Sequence, residues 1–130
     1  MKKLLSVLAL VLFASAAVFA DEETKDIPIS DLKKAIKKGK VVVLDTNGSK
    51  SFSKGHIPGA IDFKANKDKL ASLLPKDKKM LIVAYCGGPS CEAYLAGIEA
   101  VKELGYTNVA HFSGGISGWI QAGETTEQDS

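Results

Sequence analysis

Residues 80–104, MLIVAYCGGPSCEAYLAGIEAVKEL, decide the predicted fold of this chain. The run from 80 to 85 is apolar and includes β-branched residues, which is typical of a strand buried on both faces of a parallel sheet. The glycines and proline of residues 87–89 end this strand and turn the backbone. Apolar side chains then recur at helical spacing up to Gly105, a typical C-terminal stop. The stretch therefore predicts a strand, a loop and a helix.

Cys86 stands at the end of the predicted strand and is the main candidate for chemistry. In sheets of this kind, ligands bind beyond the carboxyl ends of the strands, where loop amides and a helix N-terminus favour negative charge. Those amides stabilise a thiolate, which is the nucleophilic form of cysteine. The alternative interpretation is a small buried hydrophobic residue, a common role for cysteine.

The first 20 residues, MKKLLSVLALVLFASAAVFA, have the pattern of a cleaved secretory signal. Two lysines precede an uncharged apolar stretch, and small residues lie where a signal peptidase reads the chain. The apolar core is short for a membrane span, which takes about 20 residues. We therefore expect a mature chain, residues 21–130, that forms one domain, is periplasmic or secreted, and has no membrane span after cleavage.

The charge of the mature chain argues against nucleic-acid binding. Lys2 and Lys3 leave with the signal, so the 17 basic residues fall to 15 and balance the 15 acidic residues. All of the basic residues are lysines. The chain therefore lacks arginine, the side chain that grips oxyanions with two parallel hydrogen bonds.

The other segments predict helices and short apolar strands in alternation. Helices are predicted at 31–38, with Ser30 as N-cap, at 67–74, with Asn66 as N-cap, and in the piece into which GGISGW turns. Strands are predicted at 41–44, 60–63 and 108–112. Residues 46–51 are predicted to be a polar loop, and 21–26 and 125–130 to be flexible. Leu73, Leu95 and Ile120 are expected to face the core. The alternation implies an α/β sandwich with a mostly parallel sheet.

Asp45 follows the strand at 41–44, so it reaches the same edge of the sheet as Cys86. A carboxylate in this place can cap the loop that follows it. It can also serve as an accessory group beside the cysteine. The sequence leaves both roles open.

Several separate stretches together resemble single-domain rhodanese-like proteins. They are VVVLD, GHIPGAI, IVAYC with its glycine-containing loop and helix, and LGYTNVAHFSGGISGW, in the order and spacing of that family. The resemblance covers nearly all of the mature chain. It implies a rhodanese-like three-layer sandwich, with a mostly parallel central sheet and helices on both faces, and it implies neither a cofactor nor a metal.

The resemblance also implies a sulfurtransferase. In the family, the cysteine at the Cys86 position takes up a sulfane sulfur as a persulfide and passes it to a thiophilic acceptor, a double displacement. The loop amides that would cradle it here belong to Gly87, Gly88, Ser90, Cys91, Glu92 and Ala93. The partners would be a small sulfur-containing donor (thiosulfate, polysulfide or persulfide) and a thiol or cyanide-like acceptor, with a partner redox protein as a further option. His56 would belong to a structural turn near the site.

The chain departs from the family pattern at two places. Asn47 stands where the family usually has an arginine, and the loop, which is about two residues longer than the common form, carries Cys91 and Glu92. A carboxylate at Glu92 that faced the pocket would repel doubly charged thiosulfate. An acid is also favourable at the start of a helix, so Glu92 has a second, structural interpretation.

Cys86 and Cys91 allow a competing function, a non-catalytic sulfur carrier or thiol redox partner. Four residues separate them, whereas redox dithiols usually have two between them. We expect Cys91 to point outward and the resting site to be free of a disulfide. Cysteine-dependent phosphatases and arsenate reductases need a loop arginine that this chain lacks. His56 and His111 have no zinc-site spacing.

We predict cleavage after Ala20 and an exported product, because a charged start, an apolar core and a small-residue site stand in the order of a signal. Intact-mass analysis of protein from the exported fraction checks this. A product that retained residues 1–20 would contradict the prediction.

Overall fold

The computed structural model describes residues 24–129, so the predicted signal lies outside the described residues. In chain order the elements are β1 (Lys25–Asp26), α1 (Ile29–Lys37), β2 (Val41–Asp45), α2 (Ser49–Lys54), β3 (Ile61–Asp62), α3 (Phe63–Asn66), a 3₁₀ turn (Lys67–Lys69), α4 (Leu70–Leu73), β4 (Leu81–Tyr85), α5 (Tyr94–Glu103), β5 (Val109–His111) and α6 (Gly115–Gln121). Within residues 24–129, no helix combines the length and apolar character needed to cross a membrane.

The five strands form one parallel sheet in the order β1-β5-β4-β2-β3. Strand β4 is central, and residues 82–85 are buried. One face packs on α1 and α6 through Leu32 and Trp119, and the other packs on α3, α4 and α5. The expected α/β architecture, a parallel sheet between two helical layers, is confirmed.

Alternation along β4 sends its side chains to the two faces in turn. Val83 and Tyr85 join the core beneath α1 and α6, whereas Ile82 and Ala84 join the core beneath α5. Both faces of this strand are covered, which explains why its sequence is an almost continuous apolar run.

Three expectations about helix starts and loops were wrong. Helix α1 begins one residue before Ser30, with Pro28 as its N-cap, because the Pro28 carbonyl accepts the amides of residues 31 and 32. The second half of the predicted polar loop at 46–51 is instead the start of α2, which runs on to Lys54 and buries Phe52. Asp62, and not Asn66, caps the next helix by accepting the Ala65 amide at 3.3 Å.

Leu73, Leu95 and Ile120 do not face the core as expected, since 46%, 47% and 56% of their surfaces are exposed. In each helix another residue takes the buried position. Leu70, Ile98 and Trp119 are only 2%, 4% and 4% exposed. A short helix buries only one stripe of its surface. A run of apolar residues in the sequence does not show which of them lie on that stripe and which are exposed.

Both ends of the described part of the chain, residues 24–129, pair with the rest of the domain through the backbone. Strand β1 extends the sheet beside β5, and the Asp26 carboxylate accepts the Ser113 amide at 2.9 Å. In the tail, Glu127 and His56 exchange two backbone hydrogen bonds of 2.9 Å. The Trp119 indole also donates to the Thr125 carbonyl at 2.7 Å. Backbone pairing with buried partners therefore holds both segments.

The start of α6 is seated on the backbone of the cysteine loop. The amides of Ile116 and Ser117 donate to the carbonyls of Cys86 and Gly87 at 2.9 and 3.0 Å. Gly115 has φ +61°, and a Cβ there would lie 2.6 Å from the Cys86 carbonyl oxygen and 2.7 Å from the Gly88 amide nitrogen. This close approach requires glycine, for the backbone angle and for the space.

We predict that Gly115→Ala lowers the free energy of unfolding by roughly 2 kcal/mol or more, because it adds a strained angle to a backbone clash. Gly118→Ala is the matched control in the same helix. Nothing lies within 4 Å of its added Cβ, so stability should be unchanged or raised by about 0.5–1 kcal/mol. Urea denaturation of both variants measures the difference, and equal midpoints would contradict the docking role of Gly115.

Candidate active site at the Cys86 loop

Cys86 follows β4 directly and is only 1% exposed. The loop then runs to α5, which begins at Tyr94, two residues later than its predicted start. A tight turn shapes the loop, because the Cys91 amide donates to the Gly88 carbonyl at 3.1 Å. Pro89 is the second residue of this turn, where its fixed φ is favourable.

Cys86 and Cys91 are joined by a disulfide, with their Cα atoms 6.2 Å apart. The expectation of an unbonded resting site with an outward Cys91 was therefore wrong for this state. The Gly88–Cys91 turn is the physical reason, because it folds the chain back and brings the two Cα atoms into the range that a disulfide spans.

The disulfide sets the chemistry that the loop can perform as it stands. A sulfur in a disulfide is an electrophile that a thiolate can attack, and it is not itself a nucleophile. Cys86 must be reduced before it can attack a substrate. The loop therefore has two chemical states, a closed ring of Cys86 and Cys91 and an open dithiol.

The peptide groups of the loop have a defined direction. The carbonyls of Cys86 and Gly87 point at α6, and the described residues contain no cis peptide bond. Since N–H and C=O are opposed in a trans peptide, the amides of Gly87 and Gly88 point away from α6. The Cys91 amide is already bonded within the loop and is not free in this state. Ser90, Glu92 and Ala93 are exposed at the outer part of the loop.

Asp45 is paired with Tyr85 across the two neighbouring strands. The two residues are partners in the β2–β4 register, and the Tyr85 hydroxyl donates to the Asp45 carboxylate at 2.7 Å. The same hydroxyl accepts the Ile57 amide at 3.0 Å, and the other Asp45 oxygen accepts the Asn47 amide at 2.8 Å. Asp45 thus caps the loop after β2, as the first interpretation of its sequence position had it.

Burial changes the acidity of both members of this pair. Burial raises the pKa of Asp45 above its ordinary value, although the hydrogen bonds from Tyr85 and Asn47 and the nearby His56 oppose the rise. Burial also raises the pKa of Tyr85, and the charge and hydrogen bond of Asp45 raise it further. The phenol therefore stays protonated and acts as a donor to the carboxylate.

The loop after β2 lies against the cysteine loop. The Thr46 amide and hydroxyl both donate to the Tyr85 carbonyl, at 2.9 and 2.8 Å. The Asn47 side-chain oxygen lies 3.7 Å from the position that a Cβ on Gly87 would occupy. Sequence reasoning missed Thr46 and Tyr85, and the strand register that brings them together carries no motif.

His56 is buried in the turn after α2. Its Nδ1 donates to the Phe52 carbonyl at 2.7 Å, and its ring stacks on the Phe52 ring. Its Nε2 lies 3.7 Å from the Glu127 carboxylate, which also accepts the Gly59 amide at 3.3 Å. These contacts support the turn and its link to the tail.

His111 lies at the end of β5, 93% buried, with its ring stacked on Tyr94 at the start of α5. Among the described residues, its Nε2 is the one buried side-chain polar atom without a hydrogen-bond partner. Burial lowers the pKa of His111, and the charge of Asp26 opposes this. The sequence places His111 on a strand but gives no sign of its aromatic partner.

Cys86 is separate from the surface cleft that lies between α1 and α6. This cleft has a volume of about 500 Å³ and is lined by Lys33, Lys37 and Trp119 among others. Within residues 24–129, no three His, Cys, Asp or Glu side chains lie close enough together to hold a metal ion.

The chain is similar to known proteins in sequence. It is 29% identical over 129 residues to the HTH-type transcriptional regulator Rv0324 of Mycobacterium tuberculosis, a match that covers 86% of this chain and 55% of the relative. The chain spans about half the length of the curated relatives it matches.

Solved structures share its fold. The BH2092 protein of Bacillus halodurans has a TM-score of 0.63 at 26% identity, over 81% of this chain and 77% of that one. A thiosulfate sulfurtransferase from Pseudomonas aeruginosa has a TM-score of 0.67 at 22% identity, over 82% of this chain and 21% of that one. At this lower identity the second likeness concerns the fold alone.

The Rhodanese-like domain family matches residues 29–122. The matched residues run from α1 through the Cys86 loop to the end of α6, so they contain the two cysteines and the Asp45–Tyr85 pair. The resemblance drawn from the sequence is confirmed, and this chain belongs to the rhodanese-like domain family.

Proposed function

We propose that this protein is a sulfurtransferase that carries a sulfane sulfur on Cys86. The observation that carries the proposal is the position of Cys86. It lies at the carboxyl end of the central strand and begins a loop whose carbonyls accept hydrogen bonds from α6. Parallel sheets bind ligands at this edge. Membership of the rhodanese-like domain family supports the sulfur-transfer reaction that the sequence resemblance implied.

The reaction would proceed in two displacements. The Cys86 thiolate attacks the sulfane sulfur of a donor, the bond from that sulfur to the rest of the donor breaks, and the donor leaves with the electron pair. The outer sulfur of the resulting persulfide is then transferred to an acceptor, which regenerates the thiolate. The amides of Gly87 and Gly88, which point away from α6, are the neutral donors that would hold the anionic intermediate.

The residues on and beside the cysteine loop favour a sulfur donor of low negative charge. The chain has no arginine, Asn47 lies beside Gly87, and Glu92 is exposed on the loop. No fixed cation of the loop would offset the two charges of thiosulfate. A persulfide, whose sulfur chain carries at most one negative charge, therefore fits these residues better than thiosulfate does.

The disulfide favours a second candidate function, a thiol redox partner that uses Cys86 and Cys91 as an exchanging pair. The two functions differ in what they require of Cys91. A redox partner needs both cysteines for any turnover, whereas persulfide loading needs Cys86 alone. An exported location, which we also propose, would be compatible with a disulfide.

We predict that Cys86→Ser, after reduction of the protein, abolishes sulfur uptake from thiosulfate, polysulfide, mercaptopyruvate and glutathione persulfide, because a hydroxyl cannot form a persulfide. Cys91→Ser is the matched control and should keep most of the loading. Mass spectrometry of the loop peptide after each donor is the measurement. Loading of Cys86→Ser at the level of the unmodified protein would overturn the assignment of Cys86. Equal loss in both variants would favour the redox partner.

We assign Asp45 and Tyr85 a positioning role. Their hydrogen bond joins β2 to β4 one residue before Cys86, and Tyr85 also holds the Ile57 amide. Within residues 24–129, the side-chain hydrogen bonds of Asp45 and Tyr85 go to each other and to the amides of Asn47 and Ile57, and none goes to the Cys86 sulfur. Asp45 is therefore placed to fix the ends of the strands on which the loop is built.

We predict that Tyr85→Phe lowers the free energy of unfolding by about 1–3 kcal/mol at pH 7, because it leaves the Asp45 carboxylate and the Ile57 amide without a partner. The loss should shrink as the pH falls toward the raised pKa of Asp45, since a protonated carboxyl needs the donor less. Denaturation at pH 7 and near pH 4.5 measures this. Tyr94→Phe is the control, as its hydroxyl has no hydrogen bond within residues 24–129, and an equal loss in both variants would contradict the pairing.

A further inference from the structure

We propose that Cys91 is the resolving thiol of the site: it attacks the persulfide on Cys86, releases sulfide and closes the Cys86–Cys91 disulfide. This inference rests on the proposed function and adds a second fate for its persulfide, reduction by a residue of the same loop. The disulfide seen in the structure would then be the state of the loop after sulfide has been released.

The loop geometry brings the two sulfurs together. The Gly88–Cys91 hydrogen bond and Pro89 fold Cys91 back over the strand end, and the α6 amides fix the Cys86 backbone. The 6.2 Å between the two Cα atoms lets the sulfurs bond without unfolding the loop. Attack of Cys91 on the inner sulfur of a Cys86 persulfide requires the same approach of the two sulfurs that the disulfide requires.

Proximity favours an internal nucleophile over an external one. In this state Cys86 is 1% exposed and is bonded to Cys91, so Cys91 is nearer to the Cys86 sulfur than an outside thiol can be. Cys91 is partly buried and already in contact with it. An intramolecular nucleophile gains orders of magnitude in effective concentration over a diffusing one.

The step balances in atoms and electrons. The Cys91 thiolate forms a bond to Cys86 Sγ, the bond between Cys86 Sγ and the outer sulfur breaks, and the outer sulfur leaves with that electron pair as hydrosulfide, which keeps the persulfide proton or takes one from water. The sulfane sulfur is reduced by two electrons to sulfide, and the two cysteine sulfurs are together oxidised by two electrons to the disulfide. A dithiol reductant, small or protein-borne, must then reduce the disulfide before the next cycle.

The test is a single turnover of the full-length protein, reduced with a dithiol, freed of it, and given one equivalent of glutathione persulfide. Intact mass follows the gain of a sulfur atom and its later loss together with two hydrogens, and a sulfide assay runs in parallel. We expect a transient persulfide and then about one sulfide per disulfide formed. In Cys91→Ser the persulfide should form and decay at least about tenfold more slowly, without a disulfide.

Each other outcome has a distinct meaning. A persulfide on the unmodified protein that lasts as long as the one on Cys91→Ser, with no sulfide released, would overturn this inference and leave the sulfurtransferase proposal standing. Absence of a persulfide from both proteins would overturn the proposed function itself. Ser72→Ala, which changes an exposed serine of α4 outside the cysteine loop, is the control and should behave as the unmodified protein does. Circular dichroism checks the fold of each variant, and Cys91→Ala replaces Cys91→Ser if the serine variant fails to fold.

Discussion

The contact of Gly115 with the backbone of residues 86–88 constrains the rest of the site. It allows no side chain and demands a positive φ, so α6 approaches the cysteine loop more closely than two ordinary elements would. At this distance the Ile116 and Ser117 amides bond the loop carbonyls. Each peptide that turns its carbonyl to α6 turns its N–H the other way, and so a packing constraint fixes the direction of the Gly87 and Gly88 amides.

A second constraint comes from the register of the sheet. Asp45 and Tyr85 are opposite each other on parallel neighbours, and alternation places both side chains on the face covered by α1 and α6. The next residue along β4 is Cys86. The buried hydrogen bond between Asp45 and Tyr85 fixes the ends of β2 and β4 relative to each other. It thereby positions the start of the cysteine loop beside the loop that carries Asn47.

The sequence predicted the features that depend on local pattern. The apolar run of β4, the loop that begins at Cys86 and the alternation of helices and strands all follow from periodicity and turn residues. The Asp45–Tyr85 pair and the His111–Tyr94 stack were not predicted, because both depend on strand register and helix placement, which are tertiary. The position of Cys91 was predicted wrongly for a similar reason. A loop whose amides point inward was expected to point its side chains outward, but the Gly88–Cys91 turn folds the chain back and brings Cys91 to Cys86.

The absence of arginine connects the charge of the chain with the fate of a persulfide. A persulfide on Cys86 would be anionic and would lie on a loop that carries no basic residue and has the exposed carboxylate of Glu92. Neutral amides of such a loop stabilise the anion less than a fixed cation would. A short-lived persulfide that a neighbouring thiol reduces suits these residues better than a long-lived one that waits for a diffusing acceptor. The pairing of Cys86 with Cys91 supplies that thiol within the loop.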